Sequence, residues 1–102
     1  MTVPVPTNPT SVASAVAAKR FTSFGADIDL TAEVPTGGAA KSAPARRLRI
    51  EAVGASPAIA VQFADGSSCI FSGLVANETF DVQISKILAS GTSNVTSVTV
   101  FW

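Results

Sequence analysis

From residue 26 onward the chain alternates apolar and polar side chains with a period of two, in short runs separated by Gly, Pro, Asn, Asp and Ser. That period belongs to a strand with one face buried and one face wet. Wound into a helix, the same residues would scatter their apolar side chains around the axis. Ala26–Glu33 alternates first, with Ile28 and Leu30 on one side and Asp27, Asp29 and Thr31 on the other. Arg46–Val53 sets Leu48, Ile50 and Ala52 against Arg47, Arg49 and Glu51, and Ala58–Ala64 sets Ile59, Val61 and Phe63 inward. Asp65-Gly66-Ser67 is a hairpin turn signal before a returning strand, Ser68–Phe71. Thr79–Ile84 turns Phe80, Val82 and Ile84 inward, Ser90-Gly91-Thr92 turns the chain, and Val95–Trp102 is the last strand, with Val98 and Val100 inward. Short strands at this spacing predict an all-β fold, a small antiparallel sandwich or barrel of jelly-roll-like kind.

Residues 1–25 read differently and are expected to form an arm ahead of a domain over 26–102. Pro4, Pro6 and Pro9 favour extended backbone, and the alanine-rich Ser11–Arg20 allows one short helix, with Ser11 as N-cap and Lys19 and Arg20 at its C-terminal end. Those basic residues follow the apolar stretch, so it does not read as a secretion leader. Without such a leader, Asn77-Glu78-Thr79 and Asn94-Val95-Thr96 read as ordinary sequence rather than glycosylation sites.

The missing residue types narrow the chemistry. The chain of 102 residues has no histidine and one cysteine, so it holds neither a Ser-His-Asp site nor an internal disulfide. Cys69 reads as a small buried hydrophobe in an apolar run. Asp27 and Asp29 share a strand face without the further oxygens calcium needs, and read as solvated. Pro35–Ser42 lacks the spacing of a phosphate loop. No enzyme activity, metal or cofactor is expected. Seven basic and seven acidic side chains cancel, which argues against nucleic acid, and no apolar run is long enough to span a membrane.

A partner protein remains. Charged residues are 14% of the chain, a surface weakly protected against association. The candidate contact residues are Val3 and Val5 in the arm, Phe21 and Phe24 at its end, the cluster Arg46, Arg47 and Arg49, and Phe101 with Trp102. Arginine and aromatics are favoured where proteins meet. Adjacent strand residues point to opposite faces, so Phe101 and Trp102 enter one core only if the strand bends; otherwise one of them faces another chain or a neighbouring loop.

Residues 45–102 resemble the small β-proteins of tailed phages and gene transfer agents described as spike-base or head-decoration proteins. The resemblance rests on the arginine-led Arg47–Ala52, on Ile59–Gly66 with its glycine turn, on Phe71-Ser72-Gly73-Leu74, and above all on Ser85-Lys86-Ile87-Leu88-Ala89-Ser90-Gly91-Thr92 before the aromatic ending. It implies a non-enzymatic virion component, made in a bacterial host cytoplasm and carried on the capsid surface. Its implied partners are the major capsid protein, sister copies in a trimer or pentamer, and a spike or fibre protein. It would cement capsomers or support the spike. The alternatives are a small carbohydrate-binding or adhesion module, and a tail or connector component.

Overall fold

The computed structural model describes residues 17–35 and 42–102. Six strands form one antiparallel sheet: β1 (Ala18–Phe21), β2 (Ile28–Asp29), β3 (Arg47–Phe63), β4 (Ser68–Ser72), β5 (Thr79–Phe80) and β6 (Ile84–Phe101). The protein is all-β, and no helix occurs among the described residues.

Two long strands, β3 and β6, pair along their whole length and carry the others. The first half of β3 and the second half of β6 are flanked by β5 and β1; the remaining halves are flanked by β4 and β2. The sheet then closes on itself. Ala45, just before β3, and Ile84, at the head of β6, exchange backbone hydrogen bonds of 2.9 and 3.0 Å. Ile84 also faces Phe63, so the two ends of β3 meet beside one residue. Inside lie Leu30, Leu48, Ile50, Ile59, Val61, Ile84, Val98 and Val100, all from the set read as inward, together with Ala45, Leu74, Ile87, Val95 and Trp102.

Such curling requires the pleat to break, and the register of β3 on β6 shifts at several points, two of them large. β3 runs from Val53 to Ala58 while β6 runs only from Val95 to Ser93; β6 then runs from Ser93 to Leu88 while β3 advances only from Ala58 to Ala60. These are large bulges, which bend a strand and leave backbone groups unpaired. Side chains take those groups up. The Thr92 hydroxyl accepts the Ala60 N–H at 2.9 Å and donates to the Leu88 carbonyl at 2.7 Å. Asp27 accepts the Ala89 N–H at 2.8 Å, and Asn94 Nδ2 donates to the Ala55 carbonyl at 2.6 Å. Thr92→Val keeps the shape and removes both hydroxyl bonds. It should lower stability by about 2–4 kcal/mol, roughly 1–3 for each backbone group stranded, measured by urea denaturation.

Several elements differ from the sequence reading, each for a local reason. The two strands expected over 46–53 and 58–64 are one strand, because Gly54–Pro57 forms a bulge instead of a turn. Ser90-Gly91-Thr92 likewise lies inside β6. The strand expected over Ala26–Glu33 shrinks to Ile28–Asp29, since Asp29 accepts the Thr31 N–H (3.1 Å) and hydroxyl (2.6 Å) and starts a turn. Those bonds, the side-chain one first, hold the Asp29 carboxyl below the usual aspartate range. The expected strand Thr79–Ile84 keeps only Thr79–Phe80. The short helix over 11–20 is corrected at its end, where Ala18–Arg20 are strand; residues 11–16 lie outside the described residues. A short helix is marginal by itself, and the open edge of β6 offers Ala18–Phe21 a ladder instead.

Candidate functional site

The outer face of β1, β6 and β3 gathers residues from three parts of the chain. Register places Ala18, Phe101 and Arg47 in one cross-strand row and Arg20, Thr99 and Arg49 in the next. Directly opposed residues in adjacent strands share a face, so Phe101 sits among Arg20, Arg47 and Arg49. The arginines are held on the surface by polar groups. Arg47 Nε donates to Asp81 Oδ1 at 2.6 Å. Arg49 donates to Asn77 Oδ1 at 2.9 Å, and its Nε faces Glu51 Oε2 at 3.4 Å without hydrogen-bond geometry. Glu51 also accepts the Thr99 hydroxyl at 2.9 Å. Pairs this exposed contribute roughly 0–1 kcal/mol to stability, so their carboxylates are readily exchanged for those of a partner.

Of the other residues read as contacts, Arg46 is half-buried and donates its backbone N–H to the Phe101 carbonyl at 2.8 Å. Phe21 and Phe24 are half-buried and pack against the core. Val3 and Val5 lie outside the described residues. Trp102 is corrected as a contact: it is fully buried, its Nε1–H donates to the Leu30 carbonyl at 3.2 Å, and its backbone exchanges bonds of 2.8 and 3.2 Å with Ala17. Phe101, half-buried on the other side of the strand, is the aromatic left to the surface. Arg20 was missed because a helix reading of 11–20 gives it no place beside Arg47 and Arg49.

A second surface was also missed. Among the described residues β4 pairs only with β3, which leaves its other edge open there. Ile70 is 58% exposed and Val75 59%. Cys69 is exposed, not buried as expected, on the strand that ends the β1-β6-β3-β4 order. Next to Ile70 is an open groove of about 390 Å³ lined by Ala60, Ser68, Cys69, Ile70, Leu88 and Ser90. On the core side of the same strand Phe71 stacks on Phe80, with ring centres 4.9 Å apart, and meets Phe63 edge-on at 6.4 Å.

Asp65 caps the hairpin before β4 by accepting the Ser67 hydroxyl (2.6 Å) and N–H (2.9 Å), which hold its carboxyl below the usual range. Among the described residues no three His, Cys, Asp or Glu side chains come together as a metal site. Compared with protein families, curated proteins and solved structures, the chain matches none of them.

Proposed function

We propose that this chain is a non-enzymatic structural protein of a phage-like particle, seated on the outer surface of the capsid and clustered with copies of itself. The observation that carries the reading is the β1-β6-β3 face, where Arg20, Arg47 and Arg49 surround Phe101. An outer sheet face with arginines around an aromatic suits docking on an acidic protein surface better than enclosing a small molecule. The resemblance of residues 45–102 to spike-base and decoration proteins supplies the kind of particle. Its most specific stretch, Ser85–Thr92, forms the second bulge, where Gly91 and Thr92 have definite structural tasks.

The sugar-binding alternative loses its best platform. Trp102 is buried, and Phe71 is engaged by Phe80, which stacks on it, and by Phe63, which meets it edge-on. Cryo-electron microscopy of particles from the source that encodes this chain tests the proposal. Clustered knobs on the shell, with the Phe101 face turned toward the capsid protein, are expected. Particles without this density would sink the reading.

A further inference from the structure

Hydrogen bonds that flank β4 fix the phase of its ladder. Phe63 N–H bonds to the Ser67 carbonyl at 2.7 Å, and Gly73 N–H to the Pro57 carbonyl at 3.1 Å. Counting in twos between them, Cys69 and Phe71 turn their backbone groups toward β3, while Ser68, Ile70 and Ser72 turn theirs outward. No backbone bond to those outward groups occurs among the described residues. The face beside them is apolar and hollow. Ala60 stands between Ile70 and Leu88 in one cross-strand row, and these three residues line the groove of about 390 Å³ with Ser68, Cys69 and Ser90. An open edge next to an apolar trough is the arrangement that accepts an added strand.

The chain carries a segment that complements this edge. In Val3-Pro4-Val5-Pro6-Thr7 the prolines occupy every second position. In an extended strand the N–H and C=O of one residue point to the same side, and the next residue's to the other. Val3, Val5 and Thr7 therefore offer a complete hydrogen-bonding edge, with three residues spaced as Ser68, Ile70 and Ser72 are. Pro4 and Pro6 leave the opposite edge without N–H groups, so a strand added this way ends the sheet. The residues between Thr7 and Ala17 span up to about 35 Å when extended, enough to reach past the domain that bears them. Ile70 is left more than half exposed.

We propose that the open edge of β4 is the docking site for Val3–Thr7 of a second copy of this chain. The segment adds as an antiparallel strand, with Val3 opposite Ser72, Val5 opposite Ile70 and Thr7 opposite Ser68. Val5 then continues the row of Leu88, Ala60 and Ile70 across the boundary between copies. This gives the self-clustering in the proposed function a contact. It rests on that part of the reading alone and is tested without any particle, so a chain that clusters in solution but is missing from particles would refute only the capsid role.

The test uses full-length chains carrying Cys69→Ser, so that each added thiol is the only one. One chain carries Val5→Cys, a second Ile70→Cys, and a third both. Directly opposed residues in a hydrogen-bonded pair have Cα atoms about 5.5 Å apart, within disulfide reach. Under mild oxidation, a covalent dimer is expected when the first two chains are mixed and neither alone. A dimer from the Ile70→Cys chain alone would mean that two β4 edges pair with each other. A third chain that oxidises within itself, without joining another, would mean that the segment folds on its own domain. No cross-link in any mixture would mean the edge is not the site. Each of these three results overturns the proposal. Val5→Pro, which removes the central N–H of the segment, should reduce the wild-type oligomer to the mass of one chain.

Discussion

Trp102→Ala is expected to destabilise the domain by about 3–5 kcal/mol, the range for emptying a large aromatic from a closed core. Trp102 is the largest side chain that is fully buried. It packs where β1, the end of β6 and the turn at Leu30 converge, and it is tied to two of them. Its indole N–H reaches the Leu30 carbonyl, and its backbone pairs with Ala17. Whole domains are stable by only about 5–15 kcal/mol, so this one substitution removes a large share. Thermal unfolding should show a midpoint lower by on the order of 12 °C or more. Trp102→Phe separates packing from the polar tie. It keeps most of the apolar volume, and the Leu30 carbonyl retains the Glu33 N–H at 3.3 Å, so the loss should be nearer 1–2 kcal/mol. An unchanged midpoint in the alanine variant would contradict the placement of Trp102 in the core.

Gly91→Ala should cost about 2–4 kcal/mol although it adds a single methyl group. Gly91 has φ +98°, which a side chain adopts only under strain of roughly 1–3 kcal/mol. Its Cβ would also stand 3.1 Å from Ala60 Cβ and from Ile70 Cδ1, and crowding of this kind costs about another 1–3 kcal/mol unless Ile70 swings away. Gly54, at the other bulge, is the control. It has no positive φ, and a Cβ there would meet Asn94 at an ordinary 3.6 Å. Gly54→Ala should therefore change stability little. Equal urea midpoints for the two variants would refute the distinction between the bulges.

Much of the fold is legible in the sequence, because period two is a local property of a half-buried strand. The large apolar residues read as inward all pack into or against the core, whereas Cys69 and Ala52 are exposed. The Asp65–Ser67 hairpin was readable because an Asx turn followed by glycine is also local. Continuity was not. A bulge and a turn use the same residues, since both need backbone with positive φ. Ser56, Gly91 and Asn94 supply it here inside two unbroken strands. Whether such a stretch reverses the chain or only bends it depends on the partner strand, which lies far away in sequence. The site divides in the same way. Arg47 and Arg49 share a face by spacing alone, whereas Arg20 joins them only through β6. The open edge of β4 depends on which strand does not come next to it, and no single run of residues records that.

The pairing of β1 with the end of β6 also sets the order in which the protein can be made. Ala18 needs Phe101, and the start of β3 needs the end of β6. While the chain leaves the ribosome, β3 waits with a full-length edge open, paired at most with the short β4 and β5. Sheets built from such distant pairings fold in roughly milliseconds to seconds. During that interval the nascent chain exposes unpaired β backbone to its neighbours on the same messenger, and that is when it is most open to aggregation.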